Sequence, residues 1–134
     1  MTDRLVCDAS AVVAALLDGG PAGTWAAGQL RGRALVAPDL LPFEVANVLR
    51  RQELAAAVTA DQAAQAHRDL VDLAVELWPY ELLAGGSWAR RETLSIYDAA
   101  YIALAERTGA DLITLDVRLA RAPNLPCEVL TPPE

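Results

Sequence analysis

Residues 95–116, SIYDAAYIALAERTGADLITLD, set a nearly unbroken apolar helix pattern and an apolar strand pattern end to end, with an aspartate opening the first and another closing the second. Ser95 and Asp98 have the spacing of a capping box, and Gly109 is a natural residue just past a helix end. A helix this apolar reads as buried, and DLITL (111–115) reads as a strand after it. The same succession occurs upstream. RLVCD (4–8) is a short apolar strand ending in an acid. The next helix has Ser10 as its expected cap and Val12, Val13, Leu16 and Leu17 at helical spacing. ALVAP (34–38) is a second strand, and Asp39 and Pro42 lead into a strong helical pattern, FEVANVLRRQELAAA.

The remaining segments fit the alternation. AGTWAAGQLRG (22–32) reads as a weaker helix after the break at DGGP (18–21). Thr59 with Gln62 predicts a capped helix through about Leu77, stopped by Pro79, with room for a brief strand at ELWPY (76–80). LLAGGSWARRETL (82–94) reads as a helix weakened by Gly85 and Gly86. DVRLARA (116–122) reads as a helical turn, CEVL (127–130) as a last strand and TPPE as a tail. Short apolar strands alternating with helices predict an α/β sandwich around a small, mostly parallel sheet flanked by helices. The length of 134 residues, with no internal repeat or linker, predicts a single domain over residues 1–134.

Composition narrows the chemistry. With 54% hydrophobic and 22% charged residues the chain is not of the disordered class. No apolar run reaches the ~20 residues of a membrane span, and the N-terminus lacks the pattern of a secretory signal, so a soluble cytoplasmic protein is expected. Cys7, Cys127 and the single histidine, His67, are too few for a zinc site and predict buried reduced thiols. All 11 basic residues are arginine, which removes Schiff-base and P-loop lysine chemistry. A net charge of −7 runs against a basic nucleic-acid surface, although a carboxylate cluster loaded with divalent ions would offset part of it.

The acids are placed where a site can form. In open parallel sheets ligands bind beyond the carboxyl ends of the strands. Asp8 and Asp116 each end a strand, Asp98 opens the buried helix, and Glu44 sits near the start of the helix after the second strand. Four convergent carboxylates repel one another unless cations neutralise them. Oxygen ligands without His or Cys select Mg²⁺ or Mn²⁺, ions that activate water for phosphodiester chemistry. Taken singly, Asp98 and Asp116 also read as helix-cap acids and Glu44 as a solvated first-turn acid. Asp8 is harder to read that way, since Ser10 already supplies a cap. Asn47 and Arg51 lie three and seven residues after Glu44, on its helix face. Asn47, Ser10 and Thr114 are supporting polar candidates, and Arg51, Arg90, Arg91 and Arg118 are candidate phosphate contacts. Trp25, Trp78 and Trp88 read as core or interface residues, and His67 as surface.

VCDASAVVAALL, PFEVANVLRR, YDAAYIALAE and ITLDVRLARA resemble, in order and spacing, the four signature segments of PIN-domain ribonucleases, and more narrowly of VapC toxins of bacterial toxin–antitoxin pairs. The resemblance covers nearly the whole chain. It implies a Mg²⁺- or Mn²⁺-dependent endoribonuclease that forms a homodimer, and a heterotetramer or larger assembly with a small cognate antitoxin. The antitoxin's C-terminal segment is expected to wrap the toxin and block the site. By position, Asp8, Glu44, Asp98 and Asp116 match the family's acidic quartet, and Ser10, Asn47 and Thr114 match its polar companions. The implied roles give Asp8 and Asp98 the principal metal, with Glu44 holding it directly or through water. Asp116 is left to a second metal or to the attacking water. With no histidine pair for 2′-OH chemistry, a 5′-phosphate product is expected.

Other classes fit less well. A phospho-acceptor receiver domain needs a lysine that this chain lacks, and a haloacid-dehalogenase phosphatase wants an aspartate at the position of Ser10. A PIN-fold nuclease outside toxin–antitoxin systems and a catalytically inactive binding module stay open on sequence alone.

Overall fold

A computed structural model describes residues 3–134 of the chain. Five strands, Arg4–Cys7 (β1), Ala34–Pro38 (β2), Val75–Trp78 (β3), Asp111–Ile113 (β4) and Val129–Leu130 (β5), form one sheet in the order β3-β2-β1-β4-β5. Every neighbouring pair is parallel. Between them run Ala9–Leu17 (α1), Pro21–Leu30 (α2), Leu41–Leu54 (α3), Ala60–Asp72 (α4), Tyr80–Ala89 (α5), Ile96–Thr108 (α6) and Val117–Ala120 (α7). This is the α/β sandwich that the alternating pattern predicts, with the sheet parallel throughout.

The chain winds outward from β1 to β2 to β3, then crosses back to β4 on the far side of β1. With right-handed crossovers, α1–α4 cover one face and α5 and α6 the other. The observed packing agrees: α1 lies against α2, α3 and α4, while α6 lies against α5, β1, β2 and β4. The direction of winding reverses between β1 and β4, so their carboxyl ends mark the switch point where sheets of this kind bind ligands.

The central helix α6 is buried along its whole middle, every residue from Ala99 to Ala105 included. That is why its sequence shows apolar residues on all sides rather than on a stripe. Small residues let α5 come close: a Cβ on Gly86 would stand 2.9 Å from the Ala103 Cβ. The glycine pair that weakens the helix pattern therefore contains one position, Gly86, that this packing requires. Gly109 ends α6 in the left-handed conformation at φ 68°, where glycine has no steric penalty.

Several boundaries differ from the sequence reading. Helix α4 stops at Asp72 rather than continuing to Leu77, because Val75–Trp78 pairs with β2 from Leu35↔Val75 to Pro38↔Trp78. The VELW segment satisfies a helix or a strand locally, and the open edge of β2 decides between them. The next helix runs over Tyr80–Ala89, earlier than 82–94, entered directly from Pro79. Strands β4 and β5 are shorter than predicted, at Asp111–Ile113 and Val129–Leu130.

Candidate active site

The edge at the carboxyl ends of β1 and β4 is built first around Asp8. Strand β1 ends at Cys7, and the Asp8 amide still donates to the Ile113 carbonyl of β4 at 3.3 Å. The Asp8 carboxylate then caps α1: its Oδ1 accepts from the Ala11 amide at 3.0 Å and from the Ser10 hydroxyl at 2.7 Å. Its Oδ2 accepts from the Thr114 hydroxyl just beyond β4. Thr114 Oγ1 in turn accepts from the Asp116 amide at 2.9 Å, and Ser10 Oγ accepts from the Leu115 amide at 2.9 Å. The expectation that Ser10 caps α1 is corrected here. Asp8 is the cap, and Ser10 lies inside the first turn, where it donates to Asp8 and ties α1 to the chain after β4. Asp8 is only 7% exposed. Burial raises its carboxyl above the ordinary range, hydrogen bonds from Thr114, Ser10 and Ala11 pull it back, and the charge of Asp116 adds to the rise.

Glu44 enters from the first turn of α3, half-buried. Its Oε1 accepts from the Tyr101 hydroxyl at 2.6 Å. Burial raises the Glu44 carboxyl, the Tyr101 hydrogen bond lowers it, and the charges of Asp8 and Asp98 raise it further. Tyr101 is the functional candidate that sequence reasoning passed over. It is 2% exposed and lies one turn after Asp98 on α6. The available signal was a hydroxyl three residues from Asp98 in an otherwise apolar buried segment, since positions i and i+3 share a helix face.

Asp98 and Asp116 complete the rim from two helix starts. Ser95 caps α6 by accepting from the Asp98 amide at 3.1 Å, which leaves the Asp98 carboxylate free of cap duty. Asp116 caps the short α7, accepting from the amides of Arg118 at 3.0 Å and Leu119 at 3.3 Å. The Arg118 guanidinium bridges the pair, 3.0 Å from Asp116 and 3.4 Å from Asp98. Its hydrogen bond lowers the Asp116 carboxyl, and Asp116 in return raises Arg118.

A sheet whose winding reverses above a buried aspartate, with three more acids around it, invites comparison with known proteins. A family model of the PIN domain matches residues 5–125. The chain belongs to the PIN-domain family. Among curated relatives, Ribonuclease VapC1 of Mycobacterium tuberculosis is 39% identical over 128 residues, covering 95% of this chain and 96% of that protein. Among solved structures, the M. tuberculosis VapC20 toxin, described as cleaving the sarcin-ricin loop, superposes with a TM-score of 0.67. That alignment covers 92% of this chain and 98% of VapC20 at 15% identity. VapBC-5 of M. tuberculosis, described as a member of a toxin–antitoxin family, gives 0.54 at 22% identity, over 96% and 98% of the two chains. At these identities the two structures speak for the fold.

The other predicted positions of this PIN domain divide by environment. Asn47 and Arg51 are exposed on α3 beyond Glu44, with no side-chain partner among the described residues. Arg90 is held by Glu106 at 3.5 Å and by the Gly86 carbonyl at 3.3 Å. Glu106 lies eight residues along α6 from Asp98, roughly 12 Å of helix rise. Arg91 stacks on Trp88 at 4.8 Å and donates to its carbonyl at 3.0 Å. Trp25 and Trp78 pack against the core, whereas Trp88 is 59% exposed and belongs to the surface. His67 is exposed on α4. Both cysteines are free thiols; burial pushes Cys7 up to about 12, an inert position, and Cys127 is half-buried.

The donor set suits a hard divalent cation. It is all oxygen, and Asp8 and Glu44 both carry unfavourable charge interactions with neighbouring acids. Among the described residues, however, no three of the acids stand close enough together to hold an ion as placed. Each acid is held by partners of the protein's own. Hydroxyls hold Asp8, Tyr101 holds Glu44, and Arg118 spans Asp98 and Asp116. The residues fit the group in the chemistry of their oxygen donors and lie along one sheet edge, with Arg118 supplying positive charge of the chain's own.

Proposed function

We propose that this chain is a divalent-metal-dependent endoribonuclease, the toxin of a toxin–antitoxin pair, hydrolysing RNA phosphodiester bonds at the edge formed by β1, β4 and the starts of α3 and α6. The observation that carries this reading is the grouping of Asp8, Glu44, Asp98 and Asp116 around the reversal point of a parallel sheet, with Asp8 held by hydroxyls, Glu44 by Tyr101, and Asp98 and Asp116 by Arg118. The ribonuclease name of the VapC1 relative and the toxin and VapBC descriptions of the solved structures support it. They also point to an antitoxin as protein partner, with a homodimer as the proposed unit bound by it.

In this reading Asp8, Asp98 and Glu44 would hold Mg²⁺ or Mn²⁺, and Asp116 would hold a second ion or orient water. A bound ion would supply Lewis-acid stabilisation of charge developing on the phosphodiester and lower the cost of ionising water. The chain's own residues do the rest. Thr114, Ser10 and the Ala11 amide fix the Asp8 carboxylate in direction and offset part of the upward pull of burial on its carboxyl. Arg118 is mostly exposed, so its guanidinium can exchange the two aspartates for a substrate phosphate at low cost. Arg51 lies two turns along α3 from Glu44 and is a second phosphate contact in this scheme; Arg90 and Arg91, held by Glu106 and Trp88, are secondary ones. Hydrolysis rather than 2′-OH transfer leaves a 5′-phosphate.

The test is cleavage of purified RNA by the isolated protein with Mn²⁺ or Mg²⁺, against EDTA, with Asp98→Asn alongside. Metal-dependent cutting that disappears in the variant is expected. Cutting that persists in Asp98→Asn or in EDTA defeats the assignment. A folded protein that neither cuts RNA nor binds either ion leaves an inactive PIN-fold module, and cleavage with no antitoxin gene beside it leaves a PIN nuclease of another kind.

A further inference from the structure

Tyr101 is the one polar side chain in the buried middle of α6, between Ala99 and Ala105. Elsewhere in that segment the side chains are Ala, Ile and Leu, which fill space and need no partner. A tyrosine placed there brings a hydroxyl that must be satisfied inside the protein. Its partner is Glu44 Oε1 at 2.6 Å, a short contact of the kind made to an ionised acceptor. The bond also spans the molecule. Glu44 starts α3, on one face of the sheet, and Tyr101 belongs to α6, on the other. It joins them at the edge where Asp8 and Asp98 also lie. Tyr101 is 2% exposed, and the charge of Asp8 acts on its phenol together with that of Glu44.

We propose that Tyr101 is a positioning residue for the cation site: by hydrogen-bonding Glu44 Oε1, it fixes the direction of that carboxylate and presents Oε2, its unbonded oxygen, to a divalent ion or its water. This rests on the metal-dependent reading above and deepens it. Glu44 is half-buried in the first turn of α3, and its carboxylate has no other hydrogen-bond partner among the described residues, so Tyr101 is what fixes its direction by hydrogen bonding. A carboxylate anchored through one oxygen presents its other, unbonded oxygen in a defined direction. One left free swings between one-oxygen and two-oxygen ligation. Partners of this kind, touching the ligand rather than the ion, commonly change metal affinity by about 10- to 100-fold.

The experiment is Mn²⁺ binding, by electron paramagnetic resonance or calorimetry, to the wild type, Tyr101→Phe, Glu44→Ala and the double variant, with thermal unfolding of each. Phenylalanine keeps the ring that fills the core and deletes only the hydroxyl, and Glu44→Ala alters a half-exposed position, so both are expected to fold. Expected is an affinity about tenfold weaker in Tyr101→Phe, and no further loss when that change is added to Glu44→Ala. In cleavage assays the Mn²⁺ concentration for half-maximal rate should rise by the same factor, with kcat at saturating Mn²⁺ little changed. Wild-type affinity in Tyr101→Phe overturns the proposal. So does an equal loss in both backgrounds, which is what a purely structural role produces. Should Tyr101→Phe fail to fold, the Mn²⁺ linewidth of protein labelled with oxygen-17 at the Glu side-chain carboxylates decides: direct ligation by both Glu44 oxygens overturns it, and ligation by one supports it. A wild type that binds no Mn²⁺, or an Asp98→Asn variant that binds it normally, defeats the metal reading itself and is distinguishable from failure of the Tyr101 role alone.

Discussion

The acids at the sheet edge are held in two contrasting ways. Asp8 is anchored inward: buried, capping α1, and bonded to two hydroxyls whose own oxygens accept the amides of Leu115 and Asp116. Asp98 and Asp116 face outward and share one arginine on the solvent side. Ser10 and Thr114 thus belong to the scaffold as much as to the site, joining the ends of β1 and β4 across the reversal point. The arginine bridge joins nothing that the fold needs. The contrast teaches that the buried half is arranged before any ligand arrives, while the outer half is occupied by a group that can leave.

The largest effect should come from cutting the inner network. Thr114 is fully buried, and Thr114→Val keeps its shape while removing the donor to Asp8 and the acceptor of the Asp116 amide. A buried carboxylate oxygen and a part-buried amide left unpaired should cost about 3 kcal/mol of stability in urea unfolding. Thr114→Ser keeps the hydroxyl and loses a buried methyl, for a cost of about 1 kcal/mol. Equal losses in the two variants would show that shape rather than hydrogen bonding holds this corner together.

A smaller effect should appear as pH dependence. The folded Asp8 carboxyl lies above its ordinary value, mainly through burial, so the folded state binds its proton more tightly than the unfolded chain does. Stability from this group is complete below the unfolded value and is lost as pH rises through the raised folded value. Glu44 acts in the same direction, again mainly through burial. Asp116, lowered chiefly by the Arg118 hydrogen bond, acts oppositely: its contribution is present above the unfolded value and lost as pH falls through the folded one, and solvent screening at the rim keeps it small. Asp8→Asn isolates the inner term. Asparagine caps as well as aspartate. Its amide can donate to Thr114, while the Thr114 hydroxyl turns to Ser10, 3.3 Å away. The melting temperature of the variant relative to wild type should therefore climb as pH rises from the carboxylate range toward neutrality. A difference that stays flat with pH would mean that the hydrogen bonds fully offset the burial of Asp8.

How far the sequence reveals these two halves differs too. The alternation of apolar strands and helices leads directly to the parallel sheet, and the strand-end acids mark the edge where the candidate site lies. Local rules fail where a distant element decides. Two residues apart, Asp8 and Ser10 are both good caps for α1, and the choice falls to Thr114, more than 100 residues away, which takes the other Asp8 oxygen. VELW becomes a strand because β2 has a free edge for it. Gly86 looks like a weakness in α5 until Ala103 is seen against it. Tyr101 passes for one more apolar position, since its hydroxyl matters only once α3 brings Glu44 over it. Arg118 reads as a phosphate contact, and the two acids it bridges are separated from each other by 18 positions.

The smallest expected effect on the fold is at that arginine. Arg118 is mostly exposed, and its two ion pairs are exchanged readily for water, so Arg118→Gln should leave the melting temperature within error of wild type. Its effect on ligands should be larger and of two signs. Removing a guanidinium that spans Asp98 and Asp116 frees both carboxylates, so Mn²⁺ should bind several-fold more tightly. The RNA concentration for half-maximal rate should rise, because a phosphate contact is lost, and that rise should shrink with added salt as screening weakens the contact in the wild type. Tighter Mn²⁺ binding with unchanged RNA dependence would confine Arg118 to the role of an internal counter-ion. Weaker Mn²⁺ binding would reverse the contrast between the two halves, making the outer one an organised part of the site.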